Sequence, residues 1–138
     1  MKKRQSIYLD YAAATPLDKR VLEAMKPYFI NEFYNPSASY LAAKGVRKSI
    51  SDARKRVAFW LGCRPSEIIF TAGGTEANNL AINGVMESYP DCEIVISAIE
   101  HDSVREPAKK YKYKETKTDK QGMIDLTSLS QVVSDSTA

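Results

Sequence analysis

The sequence predicts an α/β fold with a mixed or mostly parallel sheet, because strand-like and helical segments alternate in the second half of the chain. An apolar run over 67–71 leads into a Gly-Gly-Thr turn at 73–75, and an amphipathic helix follows over 76–87. A second apolar run over 93–97 is again followed by a helical segment, over 103–110. Two strand–helix units in succession are typical of parallel strands joined by helical crossovers.

The remaining elements follow from helical spacing and from turn residues. Apolar residues between Val21 and Phe29 recur at helical spacing, which predicts a first helix there. A loop is predicted over 31–44 and a second helix over 46–61, which Gly62 terminates. Towards the end of the chain the sequence predicts a strand at 113–117, a turn at 119–122 and a helix at 125–133, after which another strand is expected.

The composition is that of one ordinary globular domain, with 138 residues, 43% of them hydrophobic and 27% charged. No apolar run approaches a membrane span and the N-terminus lacks the apolar stretch of a signal peptide, so we expect a cytoplasmic protein without membrane association. Acidic residues interrupt the basic cluster at 109–120, which favours a solvated surface over a nucleic-acid site. Cys63 and Cys92 lack metal-ligand spacing, so we expect free thiols and no metal site.

The turn at 73–75 is a candidate anion site. Free backbone N–H groups and the partial positive charge of a helix N-terminus favour an anion such as phosphate. Glycines let the backbone approach a ligand and adopt positive φ, and Thr75 adds a hydroxyl. The alternative is that Thr75 only caps the helix. The turn is neither a Walker loop, which needs a following lysine, nor a G-x-G-x-x-G fingerprint.

His101 is the second candidate, because the single histidine of the chain follows the strand predicted at 93–97. Open α/β sheets bind ligands at the carboxyl edge of their strands. The neighbouring Glu100 and Asp102 can orient or charge the ring. A purely structural histidine is the alternative. If the two predicted strands lie close together, both turns face the same crevice.

Several motifs occur in a specific order along nearly the whole chain. They are Ile-Tyr-Leu-Asp-Tyr-Ala-Ala-Ala-Thr-Pro at 7–16, Asn-Pro-Ser at 35–37, Gly45, Ala53-Arg54, the segment 69–82 around the Gly-Gly-Thr turn, Glu100-His101, and Gly-Met-Ile-Asp at 122–125. Together they resemble the N-terminal part of the cysteine desulfurases, which are the NifS- and IscS-like members of the class V aminotransferase group.

The resemblance implies part of the large domain of a fold-type I pyridoxal-phosphate transferase, with helices on both faces of the sheet. Residues 1–45 would form an N-terminal arm, helix and loop, and 46–138 would begin the large α/β domain. In this family the positions of Gly74 and Thr75 bind the phosphate of pyridoxal 5′-phosphate (PLP). The position of His101 stacks on the pyridine ring and can take part in proton transfer.

The resemblance also implies a reaction and partners. Family members form homodimers and convert L-cysteine to L-alanine. They transfer the sulfur as an enzyme persulfide to an acceptor or scaffold protein, for iron–sulfur cluster or thio-cofactor synthesis.

The family's Schiff-base lysine, pyridine-nitrogen aspartate and persulfide cysteine are expected beyond residue 138, and neither Cys63 nor Cys92 matches the cysteine loop. We therefore expect 1–138 to be an N-terminal fragment that is inactive alone. Two alternatives remain open. One is a selenocysteine lyase or another class V enzyme, because the motifs present bind cofactor and do not select substrate. The other is a truncated, non-catalytic product that serves in binding or dimerisation.

Overall fold

A computed structural model describes residues 7–138, with five α-helices, one short 3₁₀ turn and two β-strands in that range. In chain order the elements are α1 Lys19–Ile30, α2 Leu41–Leu61, the 3₁₀ turn Pro65–Glu67, α3 Gly74–Ser88, β1 Ile94–Ser97, α4 Asp102–Ala108, β2 Tyr113–Thr116 and α5 Leu126–Val132. No helix in this range is both long enough and apolar enough to cross a membrane.

The described chain forms two compact units, one ending at Ile68 and the other covering Ile69–Ala138. The division between 45 and 46 that the family resemblance implies remains a prediction about domains.

In the first unit, α2 begins at Leu41, several residues before the predicted start, and ends where Gly62 adopts φ 67°. Glycine is favoured at this left-handed position because it has no Cβ.

The strand predicted over 67–71 is wrong. Pro65–Glu67 forms a 3₁₀ turn and the residues up to 72 belong to no strand. A strand needs a neighbouring backbone to pair with. Among the described residues, β1 pairs with β2 and the preceding Glu93 forms a single bridge to Thr137, and neither pairing includes the run at 67–71. The apolar run therefore has strand-like composition without a partner strand among the described residues.

The second unit confirms the α/β class and the parallel pairing. β1 and β2 pair in parallel, with Ile94 opposite Tyr113 and Ser97 opposite Thr116. Helix α4 makes the crossover between them and packs against both α3 and β1. Met86, Ile96 and Ala108 are buried, so the core of this unit lies between the sheet and these helices.

After α5, where the sequence predicts another strand, the described chain forms a single isolated bridge and no strand. Glu93 and Thr137 form a parallel bridge, in which the Glu93 N–H donates to the Ser136 carbonyl at 2.8 Å and the Ala138 N–H to the Glu93 carbonyl at 3.0 Å. The Lys114 ammonium donates to the Glu93 carboxylate. This hydrogen bond lowers the pKa of Glu93.

Candidate functional site

The turn before α3 leaves open space beside its backbone. Gly73 is extended, with φ 171° and ψ 175°, a conformation that any residue adopts. A Cβ built on Gly73 or Gly74 would meet no atom within 4 Å. The prediction that these glycines use positive φ is wrong, since within the described residues Gly62 and Gly122 adopt it. What remains is a backbone that a ligand can approach closely.

Three backbone donors and one hydroxyl are unsatisfied at the start of α3. The first helical hydrogen bond runs from the Ala77 N–H to the Gly73 carbonyl, at 3.1 Å. The N–H groups of Gly74, Thr75 and Glu76 precede it and have no acceptor among the described residues. The Glu76 carboxylate turns back and accepts from the Ala72 N–H at 2.7 Å. The result is a set of convergent donors of the kind that bind phosphate.

Thr75 does not cap the helix. The N-cap is Gly73, which supplies no side-chain cap, and the Thr75 hydroxyl makes no hydrogen bond within the described residues. The capping alternative is therefore wrong. An uncapped start alone does not mark a site, because α2 also begins without a side-chain cap, at Tyr40. Helix α3 differs in its flanking glycines and its free hydroxyl.

His101 caps α4 with its own ring. The Ser103 N–H donates to His101 Nδ1 at 3.0 Å, and the His101 backbone is extended, as is usual for an N-cap. The histidine is exposed, whereas Ser103 is buried. The ring is thus held at one nitrogen and open to a ligand on the rest of its surface.

Packing of α3 against α4 brings the two candidate residues together. Thr75 and His101 line one open cleft, whose wall is completed by Asn79, Asp102, Ser103, Glu106, Pro107 and Lys110. A neighbouring cleft lies over the turn itself, along 72–76. From the sequence we expected a common crevice only if the two predicted strands lie close together. The first of these strands does not form, yet both turns border one cleft.

The loop that carries His101 is fixed on both sides. The Ser97 hydroxyl donates to the Glu100 carboxylate at 2.7 Å, and the Arg105 guanidinium donates to the Ala98 carbonyl at 2.6 Å. Arg105 also lies 3.6 Å from the carboxylate of Glu115 on β2. These contacts hold the segment between β1 and α4, so the ring has a defined place relative to the sheet.

Sequence reasoning missed Asn78 and Ser103. The Asn78 side-chain amide donates to the Ser103 hydroxyl at 2.9 Å, and this hydroxyl lies 2.9 Å from His101 Nδ1. One signal was available, because Asn78 follows Thr75 by three residues and so shares its helix face. Ser103 could not be paired with Asn78 before the packing of α3 on α4 was known.

Comparison with known proteins gives a consistent picture. The family model described as aminotransferase class-V matches residues 7–138. A cysteine desulfurase IscS of Dictyoglomus turgidum is 46% identical, over 75% of this chain and 27% of its own length. A cysteine desulfurase IscS of Rickettsia felis is 40% identical, over 95% of this chain and 34% of its own length. The chain therefore spans about a third of the length of these curated relatives.

Solved structures of similar proteins share the fold. A structure described as a NifS-like protein superposes with a TM-score of 0.88 at 31% identity, covering 96% of this chain and 38% of that one. A structure described as SspA in complex with cysteine gives a TM-score of 0.87 at 34% identity, covering 96% and 40%. Both overlap nearly all of this chain, which supports its α/β fold class.

Proposed function

Because this chain belongs to the aminotransferase class-V family, we propose that it forms the phosphate-binding part of a PLP-dependent cysteine desulfurase. The complete enzyme would convert L-cysteine to L-alanine and pass on the sulfur as a persulfide. One observation supports this most strongly. The uncapped start of α3 and the ring of His101 border one cleft, in a chain whose relatives are named cysteine desulfurases.

The residues present fit the phosphate of PLP. The N–H groups of Gly74, Thr75 and Glu76 and the Thr75 hydroxyl are donors without acceptors in the described range 7–138, and open space lies beside Gly73 and Gly74. Phosphate oxygens accept such donors, and the helix dipole favours their charge. We assign Gly74 and Thr75 to the phosphate and His101 to the cofactor ring. PLP supplies an electron sink when it is bound, whereas these residues bind and orient it.

Large apolar side chains on the surface support a role within a larger assembly. Phe59 and Trp60 at the end of α2 are 77% and 83% exposed, and Phe29 on α1 is 67% exposed. Phe59 and Trp60 also contact each other, with ring centroids 5.6 Å apart, and adjacent exposed apolar side chains of this kind favour an interaction surface. We propose a cytoplasmic homodimer that acts on L-cysteine and delivers sulfur to an acceptor or scaffold protein, for iron–sulfur cluster or thio-cofactor synthesis.

A chimera tests the proposed function. Residues 1–138 replace the matching N-terminal part of the Dictyoglomus turgidum relative, and alanine and sulfide released from L-cysteine are measured with PLP present. We expect turnover, and we expect Thr75→Val and His101→Ala to reduce it by roughly tenfold or more. Thr127→Val is the matched control, since Thr127 also occupies the second position of a helix, α5, away from the cleft. A folded chimera that takes up no PLP, or equal activity in all variants, would contradict the proposal.

For the isolated chain we expect no desulfurase activity, in contrast to the chimera. By the family resemblance, the lysine and the cysteine that the reaction requires lie outside residues 1–138. Purified 1–138 with PLP should therefore release no alanine from L-cysteine beyond the rate of PLP alone. Catalytic turnover by this chain would show that the chemistry does not need those residues.

A further inference from the structure

We propose that Asn78 and Ser103 are positioning residues that fix the orientation and the tautomer of His101. Asn78 lies on α3, and its side-chain amide reaches the Ser103 hydroxyl on α4 at 2.9 Å. The same hydroxyl lies 2.9 Å from His101 Nδ1, and the Ser103 N–H donates to that nitrogen at 3.0 Å. Two groups of one residue thus converge on a single ring nitrogen.

The direction of these hydrogen bonds follows from the groups themselves. A backbone N–H can only donate, so His101 Nδ1 accepts and carries no proton. The Asn78 amide nitrogen also only donates, so the Ser103 oxygen accepts from it and has its own proton free for Nδ1. In the neutral ring the proton therefore lies on Nε2. From these partners we assign the Nε2–H tautomer.

The hydrogen bonds that join Asn78, Ser103 and His101 form a relay, and its effect depends on burial. Ser103 is 8% exposed and Asn78 is half-buried, whereas His101 is exposed. An exposed imidazole held only by its own backbone would sample several rotamers. The relay anchors the exposed ring to two side chains that are themselves held between packed helices. A ring fixed in this way is ready to lie against a flat ligand without first losing that freedom.

The relay also joins the two halves of the cleft. Asn78 lies one turn beyond Thr75 on the same helix, so the element that presents the N–H donors also determines where the ring lies. If PLP binds as proposed above, on which this step depends, Nε2 is the ring nitrogen through which His101 exchanges a proton, because Nδ1 is already occupied. The distance between phosphate and ring would then be set by the α3–α4 packing.

Nitrogen-15 NMR of the full 138-residue chain tests the relay directly. The chain has one histidine, so two-bond proton–nitrogen correlations report one ring without assignment. Measured without PLP at a pH where the ring is neutral, the wild-type chain should show the Nε2–H tautomer. Ser103→Ala keeps the backbone donor and removes the hydroxyl. Asn78→Asp keeps the side-chain shape and draws the Ser103 proton away from Nδ1.

In both variants the ratio of Nε2–H to Nδ1–H should fall about fivefold, the effect of losing one hydrogen bond of about 1 kcal/mol. Ser103→Thr retains a hydroxyl and should restore most of the ratio. The controls are Ser128→Ala and Asn83→Asp. Ser128 is equally buried and accepts from the Lys117 N–H, and Asn83 is a part-buried α3 asparagine that binds Tyr111.

A wild-type ring with mainly the Nδ1–H tautomer, or an even mixture, would overturn the proposal. So would a ratio that stays the same in Ser103→Ala and Asn78→Asp as in the two controls. Because PLP is absent, these results are independent of the desulfurase assignment. A positive NMR result with an inactive chimera would keep the relay and reject the proposed function.

Discussion

Helices α3 and α4 begin in opposite ways, although both border the same cleft. At the start of α3 the N-cap is a glycine, and the N–H groups of Gly74, Thr75 and Glu76 have no acceptor within the part of the chain that the structure describes. At the start of α4 the N-cap is His101, whose ring accepts from the Ser103 N–H. Every helix has such orphan donors in its first turn. Helix α4 satisfies one of these donors with its own N-cap side chain, whereas α3 has no side-chain cap.

The contrast indicates a division of roles between the two turns. The uncapped N–H groups of α3 can bind an anion. At the start of α4, one N–H group is used to hold the His101 ring in place. Gly73 at the N-cap of α3 lacks the stability that a capping side chain would give. A histidine at position 101 gains a fixed position from the same kind of hydrogen bond. The following changes alter the start of α3 and leave that of α4 intact.

Gly74→Asp should have the largest effect on the open start. A carboxylate at the first position of α3 interacts favourably with the helix dipole, so stability should hold or rise. The same charge repels phosphate, and the affinity for inorganic phosphate should fall by about a hundredfold, or about 3 kcal/mol. Thermal unfolding and phosphate titration of the full chain measure the two quantities. Loss of stability together with affinity would mean that the glycine serves the fold itself.

Thr75→Val should have an intermediate effect. It removes one hydroxyl with little change of shape, and a hydrogen bond to a charged group contributes about 1.5 kcal/mol, so phosphate affinity should fall about tenfold. Thr127→Val changes the same helix position in α5, where Asp125 already accepts from the Thr127 N–H at 2.9 Å. This control should leave phosphate affinity unchanged. Equal losses in both variants would rule out a specific role for the Thr75 hydroxyl.

Gly73→Ser should have the smallest effect, and it makes the start of α3 more like that of α4. Serine is a preferred N-cap, and the extended backbone at this position accepts it, so unfolding free energy should rise by about 0.5 kcal/mol. The new hydroxyl competes for the donors, and phosphate affinity should fall about threefold. Urea unfolding and the same titration check both effects. A stabilised variant with undiminished affinity would show that the phosphate uses other donors.

The helices and the positions of β1 and β2 were predicted well from the sequence, because both follow from local spacing. Gly62 ended α2 as expected, and β1 and β2 form where the apolar runs lie. The run at 67–71 has the same local pattern but no partner strand among the described residues, and a partner is a property of the packed chain. Strand composition alone therefore could not decide it.

The candidate site was predictable only where local sequence signals mark it. Thr75 and His101 were found because each follows a turn with a recognisable local signal. Asn78 and Ser103 were missed because their hydrogen bond joins residues 25 positions apart on two helices. Of the two uses of glycine expected at 73–74, close approach of a ligand fits the open space there, whereas positive φ is not adopted.

The most direct test of the contrast follows the backbone amides of both helix starts while inorganic phosphate is added to the full chain. We expect saturable shifts of the Gly74, Thr75 and Glu76 amide signals, because these donors are free. The Ser103 amide should stay unshifted, because the His101 ring already accepts from it. Equal shifts at both starts, or no shift at Gly74 to Glu76, would contradict the assignment of the open start of α3 to a phosphate.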